Sequence, residues 1–294
     1  MAVKSPSIYA ELLLQISFFH PTTLNCTRFY IQDQLKSNNI LTIYVSVDWF
    51  TESEQETIVR VDKKAYIERS LSVLSKQEVQ QAEDLFEFLF FFDPLAYSLF
   101  GTKPMSIAAL RSQKDMELGW DAWKKIAPFF SSETFVVREH VFNGQKFVVV
   151  ANLENVERTY LQHKELFDRS FGGRMTVDAL KLCLREEGPL FQELMRDDLI
   201  LGLLLGFGAR NAQLFFENQR LPQKERFALK PFDAVHPVFY YFSPVMPPHF
   251  ACDLDSEETK ELQHRYQKER VAIKRLARKE NLFMRMLYYN RPRT

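Results

Sequence analysis

The chain has 294 residues, 46% hydrophobic and 26% charged, with 38 Lys and Arg balancing 38 Asp and Glu. That size and composition describe a globular protein of one large or two small domains. A formal net charge of zero names no partner, and 27 Phe against 9 Gly argue against a glycine-rich nucleotide-binding design. The scattered Cys26, Cys183 and Cys252 offer no disulfide framework.

Two roles fit the apolar residues 8–19. They form a packed helix with Leu12, Leu13, Ile16 and Phe19 on one face, or an export signal ahead of a lipid-accepting Cys26. Glu11 inside the run and His20-Pro21 after it favour the helix. A cytoplasmic protein is therefore preferred, with export through a degenerate signal or lipidation at Cys26 as the alternative. Residues 41–49 alternate apolar and polar side chains at the period of a half-buried strand, and residues 57–61 make a second, giving a hairpin or the edge of a small antiparallel sheet.

Ser75 and Glu78 form a capping box that announces a helix over 76–92. Val79, Ala82, Leu85, Phe86, Leu89 and Phe90 recur at helical spacing, so this helix is expected at the centre. It is too short to span a membrane. The run FFFDPLAYSLFGTKPMS follows over 90–106. Pro94 ends the first helix and opens another turn, with Asp93 as its expected N-cap and Gly101 and Pro104 as its stop. A core has no need of Asp93, Tyr97 or Lys103, which makes them ligand candidates. Against that stand a cap, a satisfied hydroxyl and a solvated lysine. Ser106 is expected to cap a helix over 107–113.

A helix over 118–130 places Trp120 and Trp123 three residues apart, where packing is favoured over ligand stacking. Residues 134–151 predict a β-hairpin, because Asn143-Gly144 suits a type I′ turn, and His140 is expected as a cross-strand side chain. Asn152 caps a long helix over 153–171 that Gly172-Gly173 ends. A helix over 177–186 follows, and Gly188-Pro189 opens one that runs to 205.

The apolar stretch 199–207 is only nine residues long, which excludes a membrane span. After it, Gly206-Phe207-Gly208 breaks the helix and offers backbone N–H groups beside Arg210 and Asn211, an arrangement that suits an anion. The competing role is close packing at small residues, with Arg210 paired to an internal carboxylate. The glycines do not make a dinucleotide fingerprint, since no strand is predicted before them.

The pattern of Asp93, Pro94, Tyr97, Leu99 to Gly101 and Lys103 to Ser106 resembles a motif in uncharacterised proteins of chlamydia-related intracellular bacteria. LLGFGARNAQLF over 204–215 is similar to a second element of those proteins. The likeness covers about two-thirds of the chain. It implies a bacterial, host-associated setting, and neither a reaction nor a ligand.

Residues 231–248 are rich in Pro and aromatics, with a short strand expected at 239–242. His249 and Cys252 lack a second pair at fixed spacing, so no metal site is assigned. Ser256 caps a terminal helix over 257–288. Leu262, Tyr266, Ile273, Leu276, Ala277, Met284 and Leu287 share one face. Lys268, Lys274, Arg275, Arg278, Lys279 and Arg285 fall on the others. From residue 260 onward 11 Lys and Arg stand against 3 Asp and Glu, a surplus of +8 that the rest of the chain balances with −8.

No nucleophile elbow, Walker loop, zincin motif or internal repeat occurs. No catalytic residue and no cofactor is assigned, and the oligomeric state is left open. The expected fold is α+β, mainly helical, with a small antiparallel sheet that includes the 134–151 hairpin. One domain over 1–252 precedes a basic amphipathic helix over 253–294 docked upon it. The expected function is a non-enzymatic interaction protein. Residues 257–288 would contact an anionic protein or membrane surface, with nucleic acid a weaker choice. The alternative is a small-molecule or anion site, enzymatic or not, built by 93–106 and 206–211 from Asp93, Tyr97, Lys103, Arg210 and Asn211.

Overall fold

A three-stranded antiparallel sheet, with residues 145–152 between 105–109 and 135–142, separates two helical layers. The structure is a computed structural model. It describes residues 29–33, 40–47, 55–91, 93–110, 114–130, 132–226, 228–232, 245–279 and 281–289. The helix or signal expected over 8–19, Cys26, and the strand expected at 239–242 lie outside these residues. The fold is α+β and mainly helical.

The sheet begins with β5 (Phe135–Phe142) and β6 (Gln145–Asn152), the expected hairpin. Asn143 and Gly144 hold φ of 51° and 76°, the positive pair that a type I′ turn requires. β4 (Met105–Ala109) adds to the far edge of β6, Met105 opposite Ala151. This corrects the helix expected over 107–113: MSIAA gains its backbone partners from the neighbouring strand, and tertiary pairing overrides a weak local signal. His140 stands opposite Phe147 as a cross-strand side chain. It is buried, stacks on Phe191 at 3.8 Å between ring centroids, and sets Nε2 3.1 Å from the Leu184 carbonyl.

Successive strand residues face opposite ways, so β6 feeds both layers. Val148 and Val150 join the first core, and Val149 and Ala151 the second. The first core is built on α1 (Lys63–Leu71), α2 (Lys76–Phe91), α3 (Leu95–Phe100) and α4 (Lys114–Ile126). The capping box starts α2 as expected: the Ser75 N–H donates to Glu78 Oε2 at 2.8 Å, and the Glu78 N–H to Ser75 Oγ at 3.2 Å. The Lys125 ammonium also binds Glu78, whose carboxyl is held down at about 2 chiefly by that bond. Trp120 and Trp123 are buried, and Trp123 packs edge-on to Phe86 at 5.0 Å.

α5 (Leu153–Gln162), α6 (Lys164–Phe171), α7 (Val177–Arg185), α8 (Pro189–Leu194), α9 (Asp198–Leu204) and α10 (Ala209–Arg220) surround the second core. Asn152 caps α5 by accepting from the N–H groups of Glu154 and Asn155. The helix expected over 153–171 is two: His163 leaves helical geometry, with φ −123° and ψ 27°. That expected through 205 also divides, because Asp197 caps a fresh start by accepting from the Ile200 N–H. Apolar periodicity runs on across both breaks and conceals them.

The terminal helix stops early as well. α11 (Glu257–Lys279) gives way to α12 (Leu282–Tyr289), and the Asn281 side chain caps α12 by accepting from the N–H groups of Phe283 and Met284. Both helices enter the first core, through Leu262, Tyr266, Ile273, Phe283, Met286 and Leu287. The early strands make an antiparallel sheet of their own, β1 (Phe29–Asp33), β2 (Ile40–Val47) and β3 (Gln55–Asp62), separate from that of the hairpin. A two-residue pair, β7 (Lys230–Pro231) with β8 (Ala251–Cys252), precedes α11.

Phe86 links α2 to α4 and α12, touching Trp123 and Phe283, and is fully buried. Phe86→Ala should lower the stability measured by denaturant unfolding by about 3–5 kcal/mol, the cost of an aromatic cavity that its neighbours only partly fill.

Candidate functional site

The two unusual stretches of the sequence meet beneath α11. The N-cap position of α3 falls to Pro94 and not to Asp93 as expected. Asp93 instead lies close enough to Lys103 to favour its charge. Tyr97 is buried with its ring edge-on to Tyr266 at 5.6 Å, and its carbonyl accepts from the N–H groups of Gly101 and Lys103. Lys103 is not the solvated lysine of the simplest expectation. It is 2% exposed, and its Nζ donates to Ser106 Oγ at 2.8 Å. Ser106 Oγ lies 2.9 Å from the Pro94 carbonyl and 2.8 Å from Ser98 Oγ. Burial pulls the Lys103 ammonium down to about 7, against the opposing influence of Asp93.

Gly206-Phe207-Gly208 does break the helix, with both glycines in the left-handed region at φ 75° and 86°. The backbone N–H groups that suit an anion are already filled. Glu258 of α11 accepts from the Ala209 N–H at 2.9 Å and the Arg210 N–H at 3.0 Å. The Arg210 guanidinium pairs with Asp253 at 3.0 Å and is otherwise exposed. Asn211 is buried, donating to the Phe207 carbonyl and Thr259 Oγ1 at 3.0 Å each, and accepting from the Asp253 N–H at 3.1 Å.

Both glycines are required by the approach of α11. A Cβ on Gly206 would collide with the Tyr266 hydroxyl, which donates to the Gly206 carbonyl at 2.8 Å. A Cβ on Gly208 would stand 2.6 Å from the Glu258 carboxylate. The five candidates therefore do not line one open surface. Asp93, Tyr97 and Lys103 gather under α3 and β4, while Arg210 and Asn211 bind the start of α11. The stretches touch where Lys103 and Pro104 approach Gly206.

Above that junction lies an open cleft of about 410 Å³ between α5 and α11. Arg158, Thr159 and His163 stand on one wall, Glu258, Glu261 and Arg265 on the other, and the Gly206–Gly208 turn forms the floor. Sequence reasoning did not find it. Arg158, Thr159 and His163, with Glu258, Glu261 and Arg265, recur at helical spacing, but a polar helical face looks the same whether it meets solvent or a cleft.

The outer side of α11 carries the surplus positive charge. Lys268, Arg275, Arg278 and Lys279 are exposed and Lys274 is partly so. None of these five makes an ion pair with a described residue. Burial and the neighbouring Arg270 and Arg278 lower the Lys274 ammonium from its ordinary value. Val271 is 49% exposed among them. Arg285 lies apart from this row, on α12.

Among the described residues no group of three or more His, Cys, Asp or Glu could hold a metal ion, and no helix is long and apolar enough to cross a membrane. No known protein family, curated protein or solved structure matches the chain.

The depressed Lys103 fixes a sign for pH dependence. Between about 7 and the ordinary lysine value the unfolded chain binds a proton that the folded chain does not. Stability from this group therefore rises with pH across that window. Lys103→Met removes the group. The variant should be more stable than the parent in urea unfolding at pH 7, with the difference shrinking as pH rises toward 10.

Proposed function

We propose that the chain is a non-enzymatic interaction protein that holds an acidic protein surface against the basic outer side of α11. The observation that carries this is the division of the helix: Leu262, Tyr266 and Ile273 lie in the core, while Lys268, Arg275, Arg278 and Lys279 face outward. A helix that inserts into a membrane surface needs its apolar face free, and here that face is used by the fold. Val271 adds an apolar contact within the cationic row, as protein interfaces use at their centres. The cytoplasmic placement and the bacterial, host-associated setting belong to this same proposal. A ligand site made by 93–106 and 206–211 has weaker support, because Lys103 is buried on Ser106 and Arg210 is taken by Asp253.

Immobilised polyglutamate is the first probe, with vesicles containing phosphatidylserine beside it. The chain should bind polyglutamate, and raising salt from about 0.05 to about 0.5 M should release it, since charges exposed to solvent are screened. The triple variant Lys268→Gln, Arg275→Gln and Lys279→Gln should lose most of that binding and keep its fold. Retention by the triple variant, indifference to salt, or a preference for vesicles over polyglutamate would count against an acidic protein partner.

A further inference from the structure

We infer that the cleft between α5 and α11 is a binding site for a short peptide with free termini, two or three residues long. Four observations lead there, none of which involves the basic outer side of α11.

The cleft is electrically polarised. Arg158 reaches it near the Gly101–Thr102 end, donating to Asn155 Oδ1 at 3.1 Å, while the Asn155 amide donates to the Gly101 carbonyl at 3.3 Å. Arg265 enters from the opposite wall toward the same end. It lies over the Tyr266 ring, 5.1 Å from the centroid, one turn before Glu269, which accepts from the N–H and hydroxyl of Thr102. Neither guanidinium makes an ion pair within 4 Å of a described carboxylate, although the Arg265 charge acts on the half-buried Glu269 carboxylate at the same end. Two arginines on facing walls hold a carboxylate well, since each presents a planar fork of donors.

The other end is acidic. Glu261 projects there with no carboxylate-bound cation among the described residues. Glu258 lies beside it, its two oxygens already accepting from the Ala209 and Arg210 N–H groups, and close enough to His163 to favour the charged imidazole. Burial has the larger effect on His163 and lowers its proton affinity. An ammonium is the matching group.

Spacing then selects the ligand. Glu261 and Arg265 are four residues apart on one helix, roughly 6 Å at 1.5 Å per residue. A single α-amino acid is too short to meet both ends. A chain of two or three residues at roughly 3.5 Å each spans that interval. Between the ends stand Thr159, Gln162 and Thr102, beside the floor made by the Gly206–Gly208 turn, whose Gly206 carbonyl already accepts from Tyr266. These groups suit peptide N–H and C=O groups and not a lipid or alkyl chain. The volume of about 410 Å³ falls in the range of small-ligand sites.

The test uses the full chain and three probes: trialanine, trialanine acetylated at its N-terminus, and trialanine blocked at both ends. Isothermal titration should show saturable binding of free trialanine at concentrations below roughly 5 mM, an ordinary affinity for a small polar ligand. Acetylation should weaken it by about tenfold or more, and blocking the C-terminus as well should weaken it further, because each block removes a charge-assisted contact. The double variant Arg158→Gln and Arg265→Gln should reproduce the loss for free trialanine. Both arginines are exposed, so its circular dichroism and melting temperature should match the parent. Equal binding of free and blocked peptides would overturn the proposal, as would full binding by the double variant. No saturable binding of free trialanine would overturn it too. The peptide series is measured on the parent chain, so its outcome does not depend on how any variant folds.

Discussion

Tyr266 donates to the carbonyl of Gly206, and the geometry of that one hydrogen bond governs the second half of the molecule. The tyrosine oxygen stands where a side chain at 206 would begin, so only glycine admits it. About two turns earlier on the same helix, Glu258 fills the exposed N–H groups at the start of α10, and it requires Gly208 to come so near. Helix α11 is thus keyed to a turn whose backbone most residues avoid. The turn does present an anion site, and the anion is supplied from within the chain.

This keying places every other feature. It presses Tyr266 edge-on against Tyr97 and so covers α3 from outside. Glu269 accepts from Thr102 and fixes the far end of the α3 stretch to the same helix. Lys103 is sealed behind these contacts, where its ammonium has Ser106 and the nearby charge of Asp93 in place of water. A buried lysine is a stability cost, so its position reflects the close packing of α3, β4 and the Gly206 turn more than any gain from the ammonium itself. With the apolar side of α11 committed inward, its two remaining sides differ. One forms a wall of the cleft with α5, and the other carries the row from Lys268 to Lys279.

What the sequence disclosed, it disclosed where the cause is local. The Ser75–Glu78 box, the Asn143-Gly144 turn, the Asn152 cap and the stop at Gly172 each depend on a few adjacent residues with special backbone or hydrogen-bonding chemistry. All four stand as expected. The assignment of MSIAA failed because its strand exists only through pairing with β6. The breaks at His163 and Asp197 were hidden because apolar periodicity continues through them. Lys103 read as solvated since nothing near it in sequence reveals that Tyr266, more than 160 positions later, closes over the same junction. The cleft was illegible for the same reason: its walls come from residues about a hundred positions apart, and neither is unusual alone.

Amide hydrogen exchange along α11 in the intact chain tests the central claim most directly. Docking by Tyr266 and Glu258 makes residues 259–273 open only with the core, so their protection should match that of α2, the helix through Phe86 and Phe90. Exchange along α11 at the rate of a solvent-exposed helix, with α2 still protected, would contradict it. The helix would then be an independent arm, and the cleft, the buried lysine and the outward row of cations would each need another cause.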